Sequence, residues 1–242
     1  MSASAVATGV ASLEAEIDFV RSDSRINRRY VAPGAELNTG RFEAHRVQIR
    51  NGRPVRSQLT LETVGFMLTD HESSVRDFLD LEEVDPRYTN EVTEAVRRLT
   101  GATRVISGGW IIRTSGDESL LARSVGIRQG SGAIQPPARD AHVDVHPDRA
   151  ARYARRIYDR EAADGPGYSR FIISSFWRTF SNPPQDYPLA VCDGTSVACD
   201  EGVPNLMLVV DAMPSQSDQY APIPCAADLP AASIFHYNAG FR

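Results

Sequence analysis

The chain has 242 residues, of which 42% are hydrophobic and 24% are charged, and its formal net charge at pH 7 is −5. This composition excludes a wholly disordered chain, and the acidic balance argues against general binding to nucleic acid. No apolar run approaches the roughly 20 residues that span a bilayer, and the 3 cysteines lack the spacing of a disulfide framework or zinc knuckle. The sequence therefore predicts a cytoplasmic protein of enzyme size, with neither a membrane nor nucleic acid as a partner.

The first elements along the chain are predicted to be short strands. Residues 1–15 are expected to form a flexible N-terminus, and residues 16–242 a single domain. Phe42–Arg50 alternates as a strand does and runs into the turn-forming pair Asn51-Gly52, so that Leu59–Leu68 could supply the return strand.

Two helices are predicted in the middle of the chain. Tyr88–Leu99 has an apolar face, with Asn90 as the candidate N-cap and Gly101 as the stop. A second helix is predicted from about Asp148 to Glu161, where apolar residues recur at helical spacing.

The later part of the chain is predicted to be strand-rich. Four segments rich in apolar, aromatic or β-branched residues are set off by turn residues: Tyr168–Arg178, Tyr187–Asp193, Asn205–Asp211 and Ser233–Asn238. Because helices precede strands without regular βαβ alternation, the sequence favours an α+β fold. A helical and strand part is expected to about residue 135, and a sheet or barrel core from about residue 138.

The richest cluster of chemistry-bearing residues is His142, Asp144 and His146. On an extended strand, side chains two residues apart point to the same side, and two His plus one carboxylate is a facial Fe(II) ligand set. Pro147 favours helix entry over ligation for His146. Two alternatives remain: a solvated strand end in which Asp144 pairs with Arg149 or caps the next helix, and a metal-dependent hydrolase that uses all three residues.

Several segments together resemble the CmcJ/NvfI-type family of nonhaem Fe(II)/2-oxoglutarate-dependent oxygenases, which includes AsaB-like and gibberellin-desaturase-like proteins. The resemblance covers roughly residues 60 to 242 and is clearest in the last two of its segments. The seven segments that carry the resemblance are Leu61–Leu68, Ser74–Phe78, Tyr88–Glu91, Leu99–Ala102, Ala141–Asp144, Ser169–Arg178 and Gln185–Asp193.

The resemblance implies a double-stranded β-helix (jelly-roll, cupin-like) core with flanking helices. It implies Fe(II) held by His142 and Asp144, with 2-oxoglutarate as the cosubstrate. The implied function is an oxidoreductase that hydroxylates or desaturates a small natural-product-type substrate. Arg178 is the candidate cofactor-binding residue because a guanidinium can grip a carboxylate with two hydrogen bonds, although it could instead pair with Asp186 or Asp193.

The family pattern also includes a second histidine near the C-terminus and a following strand that bears an arginine, and neither matches this sequence. The identity of the third ligand therefore stays open: His236 and His146 are weak candidates, and the alternative is a residue beyond Arg242. The barrel would then be incomplete at its C-terminal side. A homodimer or a completing partner chain is one way to close it, and a truncated noncatalytic relative that acts as a binding or partner subunit is the alternative function.

Overall fold

The structure is a computed structural model, and it describes residues 11–32, 35–115, 133–145, 147–162, 165–185, 187–198, 201–222 and 234–239. The chain forms two compact units. The first unit comprises Met1–Asp70, Ala138–Asp144 and Pro188–Arg242, and the second comprises His71–Pro137 and Val145–Tyr187.

The first unit contains an antiparallel ribbon of two long strands. β1 (Ser12–Val20) pairs along its whole length with β4 (Phe42–Arg50), from Ser12 opposite Arg50 to Val20 opposite Phe42. The predicted strand Phe42–Arg50 is therefore confirmed. β1 begins within the segment that was expected to be flexible, and residues 1–10 lie outside the described part of the chain.

The predicted return strand Leu59–Leu68 is wrong. Arg53–Gln58 forms a 3-10 helix with Pro54 in its first turn, and the chain then turns through residues 61–64. Proline fixes φ near the helical value, so it starts a helical turn where a tight hairpin would have been needed. Val55, Leu59 and Val64 become a small buried cluster instead, and β1 takes the place of the expected partner strand.

The first unit also contains a four-stranded sheet in the order β3-β2-β7-β8. Its strands are β2 (Arg28–Ala32), β3 (Ala35–Asn38), β7 (Gly202–Val209) and β8 (Ile234–Ala239). β2 and β7 are parallel, whereas the two outer pairs are antiparallel. The two latest predicted strands are confirmed as β7 and β8, with shifted ends.

The second unit contains the helices and a short parallel strand pair. Its elements are α1 (Leu81–Val84), α2 (Arg87–Thr100), α3 (Pro147–Ala162), β5 (Ile111–Arg113) and β6 (Ala133–Gln135). Both predicted helices are confirmed as α2 and α3. The described elements therefore combine helices with separate sheets, as expected for an α+β protein.

Helix α2 ends as predicted but begins earlier. Gly101 follows its last residue with φ of 68°, the left-handed conformation that glycine adopts without strain. The predicted cap Asn90 is wrong, because the helix begins at Arg87 and Pro86 is the N-cap residue. Asn90 lies inside the first turn, where its N–H donates to the carbonyl of Pro86 at 2.9 Å.

The predicted strands Tyr168–Arg178 and Tyr187–Asp193 are wrong, since the structure assigns no strand to their described residues. Most of their apolar side chains are exposed, with 52% for Ile172 and 44% for Trp177. The residues of these segments have high β-propensity, but no neighbouring strand among the described residues pairs with them. Without a paired strand, a segment forms none of the hydrogen bonds that stabilise a sheet.

The carboxylate of Glu83 in α1 binds the backbone of the segment that precedes this helix. Glu83, whose side chain is 10% exposed, accepts hydrogen bonds from the N–H of Asp77 at 3.1 Å and from the N–H and Nε of Arg76 at 3.3 Å. The bond from Asp77 and those from Arg76 outweigh burial and lower the pKa of Glu83. These bonds favour the ionised form in the folded state.

We therefore expect ionised Glu83 to stabilise the folded state at pH values above the ordinary pKa of a glutamate. That stability is lost as the pH falls through the lower folded-state pKa, because the protonated group binds these donors less well. Glu83→Gln should reduce the free energy of unfolding at pH 7 and flatten its decline in acid, as measured by urea denaturation at several pH values. The exposed Glu72→Gln is the control, and identical acid profiles for the two variants would contradict the prediction.

No helix in the described residues is both long and apolar enough to cross a membrane.

Candidate metal centre

The segment that carries His142 and Asp144 is held against strand β1. Asp140 forms a parallel bridge with Asp18 of β1, in which the N–H of Ala141 donates to the carbonyl of Asp18 at 2.9 Å. The N–H of Asp18 donates in turn to the carbonyl of Arg139 at 3.3 Å. The backbone just before the two side chains is therefore fixed by a regular strand rather than by a loop.

The imidazole of His142 is oriented from both ends of its ring. Its Nδ1 lies 2.8 Å from the backbone oxygen of Asp140, so Nδ1 carries the proton in the neutral ring. Its Nε2 lies 3.5 Å from Oδ1 of Asp144. The His142 side chain is 18% exposed and the Asp144 side chain 64%, so the pair lies at the surface of the unit with the imidazole largely buried.

The electrostatics of the pair favour a cation at this position. The hydrogen bond to Asp144 raises the pKa of His142 against the lowering effect of burial, and Asp140 raises it further. Two carboxylates thus stabilise positive charge at the imidazole. A metal ion bound to the neutral ring would replace the proton and compensate the negative charge of the same two carboxylates.

The two side chains fit a shared metal ion. Donor atoms that bind one ion at about 2.1 Å each lie at most about 4.2 Å apart. The distance of 3.5 Å between Nε2 of His142 and Oδ1 of Asp144 is within this limit. The hydrogen bond from Nδ1 to a backbone carbonyl is the usual way in which proteins orient a metal-binding histidine. The structure therefore brings the predicted ligands His142 and Asp144 together.

The third ligand is not found among the described residues, where no group of three or more His, Cys, Asp and Glu side chains could hold a metal. His146 lies outside the described residues. The backbone of His236 belongs to β8 and pairs with that of Asn205 in β7. Both weaker candidates stay predictions from the sequence.

Arg178, the predicted cofactor-binding residue, belongs to the second unit and packs among aromatic rings. Its Nη2 donates to the backbone oxygen of His71 and contacts the ring nitrogen Nδ1 of the same residue. The guanidinium carbon lies 5.9 Å from the ring centroids of both Phe78 and Tyr88. Arg178 therefore contacts His71, and Asp186, one of the two alternative carboxylate partners, lies outside the described residues.

Two functional features of these sites escaped the sequence analysis. Asp140 orients His142 through its backbone carbonyl. Because every residue has such a carbonyl, the residue type at position 140 does not reveal this contact. The cluster around Arg178 joins residues about 100 positions apart, such as His71 and Arg178. The signal that the sequence offers is the aromatic residues around it, such as Tyr88 and Phe176, whose ring centroid lies 5.1 Å from that of His71.

Comparison with known proteins places most of the chain in one family. The family model described as "YDMC: Oxidoreductase/YMDC permease-like domain" matches residues 18–221. The match includes His142 and Asp144, the whole second unit and most of the first.

Two curated relatives are oxidative enzymes of fungi. Hydroxylase/desaturase CTB9 from Cercospora beticola is 31% identical over 210 residues, which are 83% of this chain and 63% of that protein. The Fe(II)/2-oxoglutarate-dependent dioxygenase nvfI from Aspergillus novofumigatus is 27% identical over 198 residues, which are 78% of this chain and 66% of that protein. The chain thus spans less than two thirds of the length of either relative.

A solved structure shares the fold. The iron and alpha-ketoglutarate-dependent endoperoxidase NvfI superposes with a TM-score of 0.66 at 22% identity, and the match covers 96% of this chain and 76% of that one. Together with the family model and the curated relatives, this similarity identifies the chain as a member of the NvfI-type family of Fe(II)/2-oxoglutarate-dependent oxygenases.

Proposed function

We propose that the chain acts as a nonhaem Fe(II)/2-oxoglutarate-dependent oxygenase that hydroxylates or desaturates a small natural-product-type substrate. The observation that carries the proposal is the convergence of His142 Nε2 and Asp144 Oδ1 to 3.5 Å on a strand-anchored segment. The names of the relatives support the same reaction class.

In this proposal the chain's own residues bind and orient the metal. His142 and Asp144 hold Fe(II), and the carbonyl of Asp140 keeps the proton on Nδ1 so that Nε2 remains the ligand atom. The metal, when bound with 2-oxoglutarate, supplies the oxidising chemistry, for which the protein contributes ligation and positioning. The open coordination positions of a site with few protein ligands suit such a reaction.

A double-stranded β-helix core belongs to the same proposal. The likeness to the NvfI structure supports it, as does the presence of several sheets in the first unit. The predicted single domain, cytoplasmic location and oligomeric state stay predictions from sequence.

The proposal is tested by anaerobic titration with Fe(II) and 2-oxoglutarate. We expect a metal-to-ligand absorption band and retention of about one Fe(II) per chain after dialysis, because the cosubstrate chelates a protein-bound ferrous ion. His142→Ala should abolish both. His45→Ala is the matched control, since His45 lies in β4 of the same unit and pairs with Glu43.

Retention of the band and of Fe(II) by His142→Ala would contradict the assigned ligand. The absence of both from folded wild-type protein, with folding checked by circular dichroism, would instead favour the noncatalytic alternative.

A further inference from the structure

The stretch Tyr168–Phe176 of the second unit, called the open segment below, has a strand-forming sequence and an unpaired backbone. From Arg170 to Phe180 the chain runs without a helix, turn or bend, which is the course of an extended chain. The backbone N–H and C=O groups of the open segment form no hydrogen bond with any described residue. A row of such groups is a template to which another strand can be added.

The apolar side chains at the centre of the open segment are also uncovered. The exposed fractions are 39% for Phe171, 52% for Ile172 and 41% for Ile173. Because side chains alternate along an extended chain, three consecutive residues expose apolar surface on both of its faces. Exposed apolar surface that is contiguous marks an interaction site more often than isolated apolar residues do.

The two ends of the open segment are held by aromatic contacts within the second unit. The ring centroid of Tyr168 lies 5.0 Å from that of Tyr158, a buried residue of α3. The ring centroid of Phe176 lies 5.1 Å from that of His71. The residues between these two contacts are therefore held in place before a partner binds, which lowers the entropy lost on association.

The apolar residues of the open segment are placed so that the segment can pair with its own copy. In an antiparallel pair about a two-fold axis at Ile172, this residue lies opposite its own copy. Phe171 then lies opposite Ile173, and Tyr168 lies opposite Phe176. Every apolar residue of one copy thus faces an apolar residue of the other, and such aromatic and β-branched pairs stabilise a sheet.

The polar residues fit the same register. Arg170 lies opposite Ser174, and Ser169 lies opposite Ser175, so no arginine faces an arginine across the pair. Opposed hydroxyl groups can form a hydrogen bond, whereas like charges directly opposite each other destabilise a sheet.

The next symmetric register lacks this match. An axis at Ile173 would place Phe171 opposite Ser175 and Arg170 opposite Phe176. Apolar residues would then face polar ones, so the pairing about Ile172 is the favoured one.

We propose that the open segment is the surface through which two copies of this chain associate. Tyr168–Phe176 of one copy pairs antiparallel with the same stretch of the other, about a two-fold axis at Ile172. The pairing supplies hydrogen-bond partners to one edge of each backbone, and it brings Phe171 and Ile173 of the two copies into contact. This surface contains neither proposed metal ligand, so its test is independent of the proposed oxygenase activity.

Sedimentation velocity over a wide range of concentrations of metal-free protein tests the association. We expect a dimer that dissociates on dilution. Ile172→Asp should weaken it at least about 100-fold, because two carboxylates would face each other at the axis and the apolar contact would be lost. Ile111→Asp is the matched control, since Ile111 is 42% exposed in the same unit and lies outside the open segment.

Disulfide crosslinking tests the register, in a chain whose three native cysteines are replaced by serine. Ile172→Cys should crosslink to its own copy under mild oxidation, because directly opposite residues have Cα atoms about 4.5–5.5 Å apart, within the reach of a disulfide. Ser174→Cys is the control. Its copy would lie four residues further along the strand, about 13 Å away, and should not crosslink.

A monomer at every concentration would overturn the proposal and leave the open segment to a strand of a different protein. A dimer that Ile172→Asp does not weaken would also overturn it, and so would equal crosslinking of Ile172→Cys and Ser174→Cys. If circular dichroism shows that Ile172→Asp does not fold, the crosslinking of Ile172→Cys decides.

Discussion

Asp144→Asn should lower the affinity for Fe(II) by about 100-fold or more. The substitution removes the negative charge of one of the two proposed ligands, whose Oδ1 lies 3.5 Å from Nε2 of His142. An amide oxygen is a weaker donor to a divalent cation than a carboxylate oxygen, and it leaves the ion's charge uncompensated. Equilibrium dialysis followed by metal analysis measures the effect directly.

The same variant should leave the metal-free fold nearly unchanged. Asp144 is 64% exposed, and exposed ion pairs contribute about 1 kcal/mol or less to stability. Asp70→Asn is the matched control, because Asp70 is also exposed and pairs with Arg56 at 2.8 Å. Equal Fe(II) affinity in wild type and Asp144→Asn would remove Asp144 from the ligand set. A large loss of stability would show that the residue is structural.

Arg178→Gln should destabilise the second unit by about 2 kcal/mol. The guanidinium donates to His71 and lies against Phe78 and Tyr88, so its loss removes a hydrogen bond and two cation–π contacts. The buried Nε of Arg178 has no hydrogen-bond partner within the described chain, so the hydrogen bonding of the guanidinium rests on Nη2. Urea denaturation measures the change, with the exposed Arg170→Gln as the control.

A titration distinguishes this packing role from cofactor binding. Burial raises the pKa of Tyr88, and the hydrogen bond and positive charge of Arg178 lower it in part. Arg178→Gln should therefore raise the pKa of Tyr88 further, as seen in the ultraviolet absorbance of tyrosinate, with no 2-oxoglutarate present. An unchanged Tyr88 titration and an unchanged stability, together with weaker 2-oxoglutarate binding, would favour the cofactor role predicted from the resemblance.

The sequence by itself determined those elements whose signals lie within a few neighbouring residues. Strand β4 and helices α2 and α3 were predictable because alternation, helical spacing and the stop at Gly101 act within a few residues. The convergence of His142 and Asp144 was predictable for the same reason, since an extended backbone places residues two apart on one side. The family was recognisable because its segments keep their order along the chain.

Tertiary structure alone decided which segments found a partner. Leu59–Leu68 and Tyr168–Arg178 have strand composition, yet a strand is stable only where another strand offers its backbone groups. The aromatic surroundings of Arg178 depend on residues distant in sequence, such as His71. No local pattern encodes such contacts, because they arise only when the whole chain has packed.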